Sequence, residues 1–183
     1  DTMTAVPNSE SYQAGSNNRT QIYYIISPDT GSHNIVASFS GSATCGIGGM
    51  SFYNVDQTTP VGAGNTSSAT ATATSSLALT PTVTGSWIIA MISSSSSLGS
   101  ATGLTQSYTE GSNALLRGGR NESPTIGSAN TVGWGSSSSS HAMSGCAIIP
   151  YGDAKPTNVQ DNSILVEKDT ANRYWFDLAG DYK

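Results

Sequence analysis

A chain of 183 residues has room for one domain of ordinary size and a small appendage. Only 10% of its residues are charged, against about a quarter in typical soluble domains, so hydroxyls and amides rather than ions must carry its solubility. The net charge of −5, with seven basic residues that form no cluster, removes the counterion-release drive behind nucleic-acid binding, and apolar runs such as IYYII and WIIAMI argue against a wholly disordered chain.

No segment sustains a three-to-four-residue apolar period, and Gly, Ser and Thr interrupt every candidate helix, so the chain reads as all-β. Strands are predicted over residues 21–27, 33–40, 43–53, 68–74, 79–84, 87–93, 104–110, 114–117, 130–135 and 141–149. The spacing of turn signals between them is that of an antiparallel β-sandwich, jelly-roll-like in type. The first turn, SPDTGS, is set by Pro28, which fixes φ, and by Gly31, which supplies a positive φ. The segment TSSATATATSS alternates small and hydroxyl side chains, as a strand with one wet face does, although a flexible linker has the same composition. The serine runs 93–97 and 136–140 read as exposed loops.

Charge marks the internal boundary: residues 1–152 hold nine charged side chains and residues 153–183 hold ten. The expected organisation is a β-sandwich domain over 1–152, followed over 153–183 by a linker and a C-terminal β-hairpin. Pro156 favours an extended linker, and SILVEKDTANRYWFD reads as two strands around a polar turn at 168–172. A lone hairpin is marginal in water, so this one is expected to pack on the main domain, on another copy, or on a further domain. No apolar run approaches the roughly 20 residues of a membrane-spanning helix.

The residues IYYIISPDTGSHNIVASFSG, GGMSFYNVDQTTPVG, SWIIAMIS, LTQSYTE and HAMSGCAIIP resemble an uncharacterised β-sandwich module of the SFxxVDQTTP type. That module occurs in phage-encoded, metagenomic and bacterial surface proteins, and the resemblance covers about residues 3–150. It carries no catalytic motif to transfer. Family members begin with further strands ahead of the point matched by Met3 to Val6. Their absence here means either a shortened sequence or a sandwich whose sheet edge is completed by another chain. The tail separately resembles short hairpins of phage virion and tail proteins. Together the two resemblances imply a non-enzymatic structural or decorating protein of a phage particle surface that assists host attachment. Its setting would be the virion surface or the extracellular space, and its partners other subunits in a homo-oligomer with sheet-edge contacts. The alternative is a carbohydrate-binding or adhesive domain of a secreted bacterial surface protein or filament.

Few residues are candidates for chemistry. Cys45 and Cys146 sit in apolar runs near opposite ends of the main domain, and pairing them would stabilise the fold by about 4 to 5 kcal/mol through loop closure. Two buried free thiols are the equal alternative. His33 and His141 have no carboxylate or Cys at ligand spacing, so neither a metal nor any other cofactor is expected. The stretch 161–170 lacks the central Gly of a calcium loop, no Ser lies in a G-x-S-x-G elbow, and the carboxylates are scattered along turns, so no catalytic residue is assigned. Sugar contact remains open to Tyr53, Tyr108, Trp134 and Tyr151, the aromatics beside loops, with core filling by Trp87 and Trp134 as the competing reading. Asn18, Asn65 and Asn121 lie in N-x-S/T sequons.

Overall fold

The strand WIIAMISS has its even-numbered residues buried and its odd-numbered ones half-buried, the pattern of a strand covered on both faces. The computed structural model, which describes residues 2–38, 45–110, 115–152, 164–166 and 173–175, shows why. This strand, β6 (Trp87–Ser94), lies inside a six-stranded antiparallel sheet. One edge of β6 pairs with β10 (Asn130–Ile148) and the other with β9 (Leu115–Asn121), which in turn pairs with β8 (Thr105–Glu110). The far edge of β10 pairs with β5 (Asn65–Leu79), and β7 (Leu98–Thr102) pairs with the first part of β10, beyond the end of β6.

The strands β5 and β10, of 15 and 19 residues, do not run straight. Thirteen residues of extended strand span roughly 40 Å. Yet Asn65 Nδ2 donates a 2.7 Å hydrogen bond to the Ala78 carbonyl at the other end of β5. Gly145, the register partner of Asn65, lies so close to the same end that an added Cβ would meet Leu79 Cδ1 at 2.9 Å and Leu77 Cδ1 at 3.2 Å. The β5–β10 ribbon therefore folds back on itself. Its ladder slips register between Gly135 and Ser139 and again between Ser139 and His141, and such irregularities let a strand bend and pass from one layer to another. The result is a β-sandwich built largely from one continuous sheet, its layers tied by Arg117 Nη1 donating to the Gly99 carbonyl at 2.6 Å.

The core between the layers holds Leu77, Leu79, Ile88, Ile92, Val132, Trp134 and Met143. Each fully buried aliphatic side chain there contributes about 1.5 to 3 kcal/mol relative to exposure. The opposite face of the main sheet presents Ile89, Met91, Cys146 and Ile148, which are covered by Val6, Ile22 and Tyr24. Tyr24 belongs to, and Val6 and Ile22 directly flank, the antiparallel pair of β1 (Thr4–Ala5) with β4 (Tyr23–Tyr24); a second short pair, β2 (Ser11–Gln13) with β3 (Asn18–Thr20), lies between them in the chain. The contact is partly polar. Thr20 and Ser144 share a buried 2.6 Å hydroxyl hydrogen bond, and Asn18 Nδ2 donates to the Ser140 carbonyl at 2.9 Å.

The all-β antiparallel fold is as expected, and several elements differ from their sequence reading. The segments expected as strands at 33–40 and 43–53 carry no strand at residues 33–38 and 45–53, which are exposed or half-buried and lack a ladder partner; residues 39–44 lie outside the described residues. The expected strand at 79–84 ends at Leu79, because Pro81 has no N–H to give a ladder and the chain turns through Gly85 at φ 81°. Of the serine runs expected as loops, 136–140 lies within β10, and Ser93 and the buried Ser94 lie within β6. TSSATATATSS, by contrast, is strand as its alternation indicated.

Contacts divide the chain into the units Asp1–Tyr151 and Gly152–Lys183. In the second, β11 (Ile164–Val166) pairs antiparallel with β12 (Arg173–Trp175), from Ile164 opposite Trp175 to Val166 opposite Arg173. The expected linker at 153–163 and turn at 168–172 lie outside the described residues.

Close backbone approach within the ribbon yields a test of its register. A Cβ on Gly133 would stand 2.0 Å from the Ser75 carbonyl oxygen and 2.8 Å from Ser76 Cα. Neither is the free end of a side chain, so Gly133→Ala must push the two strands apart. A loss of about 1 to 3 kcal/mol in urea unfolding is expected; an unchanged midpoint would show that the strands are not in this register.

Candidate functional site

The signature SFYNVDQTTP forms a loop fastened at both ends. Asp56 Oδ1 accepts the backbone N–H groups of Thr58 and Thr59, each at 2.7 Å. The Thr59 bond first, and the Thr58 bond second, hold its carboxyl below the ordinary range, since both favour the charged form. Gln57 Nε2 donates to the Val55 carbonyl at 2.7 Å, and Ser27 Oγ donates to Gln57 Oε1 at 2.9 Å. The loop is also stitched to the end of the main sheet. Asp56 N donates to Ile149 O at 3.0 Å, Tyr151 N to Asn54 O at 2.9 Å, and Ile149 N to Pro60 O at 2.9 Å. Val55 lies opposite Pro150 between the first two of these bonds, a position that asks no N–H of the proline.

This frame places aromatic side chains in two tiers. Phe52 meets Trp87 edge to face, with ring centroids 5.9 Å apart at 85°, a favourable geometry for two half-buried rings. On the outside, Tyr53 is 94% exposed and Tyr151 is 61% exposed. The Tyr151–Asn54 backbone bond brings these two positions to one end of the sheet. Asn54 takes a positive φ of 56°, a conformation Asn tolerates better than most residues.

The other two aromatics proposed for sugar contact are placed differently. Trp134 is 1% exposed, in the core between the layers, and is not a surface contact; its Nε1 lies 3.4 Å from Gln106 Oε1. Only the core reading of this residue survives. Tyr108 is half-buried and lies over two glycines, since a Cβ on Gly48 or Gly118 would come within 2.1 Å of its ring. Sequence reasoning missed Phe52 as the partner of Trp87, and it missed the bracing role of Asp56 and Gln57. The signal for the latter was present in D-Q-T-T, because Asp followed by hydroxyl residues favours a turn closed onto the Asp side chain.

Of the two readings of the cysteines, free thiols are what the structure holds, but only Cys146 is buried, against Val6 and Ile22, whereas Cys45 is exposed. Loss of hydration pushes the Cys146 thiol up to about 12. Among the described residues no three of His, Cys, Asp and Glu gather as a metal-binding group, and no helix is long and apolar enough to cross a membrane. Of the sequon asparagines, Asn18 and Asn65 spend their side-chain N–H groups on hydrogen bonds within the fold, and Asn121 Oδ1 accepts the Ser123 N–H at 2.9 Å. No protein-family model, curated protein or solved structure matches the chain.

Proposed function

We propose that this chain is a non-enzymatic structural and decorating module of a phage particle surface, with the loop of residues 52–60 and Tyr151 as its outward contact. The observation that carries this reading is the near-complete exposure of Tyr53 on a loop held by hydrogen bonds accepted by Asp56 and donated by Gln57 and Ser27. A rigid loop that already holds its aromatic ring in water loses little conformational freedom on contact, and tyrosine supplies large amphipathic area. The resemblance of the module and of its tail to phage surface proteins supports the setting, and the weakly charged, hydroxyl-rich surface suits dense packing of copies. Many copies, each binding weakly, would then act through avidity.

The same exposed tyrosines favour one alternative, a carbohydrate-binding or adhesive domain of a secreted bacterial surface protein. Two measurements separate the readings. Antibody labelling and imaging of particles purified from the source material should show copies at regular positions; recovery of the chain only as a free secreted protein would overturn the particle reading. On such particles, Tyr53→Ala with Tyr151→Ala is expected to reduce host-cell adsorption about tenfold while leaving the number of copies per particle unchanged. Undiminished adsorption would remove this loop from the contact.

A further inference from the structure

A second surface feature lies at the N-terminal end of the sandwich. The antiparallel pair of β1 and β4 sets Thr4 directly opposite Tyr24, and directly opposite residues on a ladder project to the same face. Beyond Tyr24 the chain turns sharply at Ser27, a non-glycine residue with φ 47°. Between these elements is a cleft of about 360 Å³ lined by Thr2, Thr4 and the segment from Tyr24 to Ser27, with Asp29. Its volume falls at the small end of the range for ligand sites, enough for one or two pyranose rings.

Three aspects of this cleft point to a ligand. The first is preorganisation: Tyr24 packs against the cluster of Val6, Ile22 and Cys146, so one part of its ring is fixed by the fold. The second is backbone strain. Ser27 is neither Gly, Asn nor Asp, and a positive φ at such a residue persists only where its surroundings impose it. Here the hydrogen bond from Ser27 Oγ to Gln57 Oε1 ties the turn to the DQTT loop. The third is the chemistry of the lining: the hydroxyls of Thr2, Thr4 and Ser27, the last donating to Gln57 and left as an acceptor, one carboxylate, one aromatic ring and the apolar Ile25 and Ile26. Hydroxyls and a carboxylate can exchange several hydrogen bonds with a polyol, while a phenol ring covers the C–H face of a sugar. A divalent cation would need more carboxylates than the single Asp29. A phosphate or other anion would be repelled by that carboxylate.

We infer that the cleft between Thr4, Tyr24 and Asp29 is a binding site for a neutral pyranose, met as a single ring or as a terminal residue of a glycan. It is separate from the Tyr53 and Tyr151 surface and does not depend on the particle reading. A ligand of this size on an open site is expected to bind with a Kd on the order of 1 mM.

The test is saturation-transfer NMR on the whole chain with methyl glycosides of glucose, galactose, mannose and N-acetylglucosamine, and with choline as a cationic competitor. At least one glycoside should show transfer that choline does not displace. Asp29→Asn and Thr4→Val change exposed side chains and should leave the fold intact, as read from the amide spectrum. Each is expected to weaken the glycoside about tenfold, whereas Tyr53→Ala should leave it unchanged. Failure of all four glycosides to bind, binding that survives both cleft variants, or displacement of the glycoside by choline would each overturn the inference. Loss of binding in Tyr53→Ala alone would move the sugar to the outer loop and likewise overturn it.

Discussion

Trp134→Ala is expected to cost about 3 to 5 kcal/mol, the range for removing a large buried aromatic side chain. Among the described residues Trp134 is the largest fully buried side chain, and it sits with Val132 in the first half of β10, packed among Ile88, Ile92, Leu98 and Met143. Because Met143 belongs to the second half of β10, and Ile88 and Ile92 to the strand paired with that half, the indole fills the space closed by the folding back of the ribbon. Truncation would leave a cavity lined from both layers, which neither can refill without shearing the ladder. Trp134→Phe keeps most of the ring and should lose distinctly less. Tyr53→Ala, at an exposed aromatic, should stay within about 0.5 kcal/mol of the parent. Urea unfolding of the three variants checks the ranking, and a neutral Trp134→Ala would contradict the layered arrangement.

Alkaline pH should destabilise the protein through Cys146. In the folded chain burial pushes this thiol from its ordinary 9.0 to about 12. Below pH about 9 both folded and unfolded states hold the proton, and the stabilisation is fully present. Between pH about 9 and about 12 the unfolded chain releases the proton while the folded chain keeps it, so stability falls as pH rises, by about 1.4 kcal/mol per pH unit. Across the whole window the loss is on the order of 4 kcal/mol. Tyrosines and lysines also titrate there, so the informative quantity is the difference between the parent and Cys146→Ala. The variant starts less stable because a buried side chain is shortened, but its stability should decline less steeply with pH. Parallel decline of the two would show that the thiol is accessible to water in the native state. A thiol reagent at neutral pH gives an independent reading: Cys45 is expected to react in the native protein, and Cys146 only after unfolding.

The cysteines and the Gln21 to Pro60 region show where sequence reading stopped. Two apolar runs around Cys45 and Cys146 looked alike as sequence. One belongs to a paired strand with both faces covered, whereas residues 45–53 of the other carry no ladder. Residues such as Ile35, Val36 and Ile47 have strand-forming side chains, yet they remain 55%, 79% and 46% exposed. Strand propensity states how well a side chain fits a pleated surface, and it does not supply the neighbouring strand that completes the hydrogen bonds. The candidate site divides in the same manner. Tyr53 and Tyr151 were legible as aromatics beside turn residues, whereas the cleft at Tyr24 joins Thr2 and Thr4 to the segment ending at Asp29, a contact made by the β1–β4 pairing and the Val6–Ile22 backbone bond beside it.

The sequence alone determined the all-β class and a strand over 87–93, which the structure carries one residue further as Trp87–Ser94, because these depend on period, propensity and contacts between residues near in the chain. Only the tertiary structure decided that β5 and β10 are single long strands folded back on themselves, that Trp134 is enclosed while Tyr53 is bare, and that Cys146 is buried apart from Cys45 as a free thiol. Those outcomes depend on which distant segments meet. A ladder register and a fold-over at Gly135 to His141 are set by the packing of both layers at once, and no local run of residues encodes them.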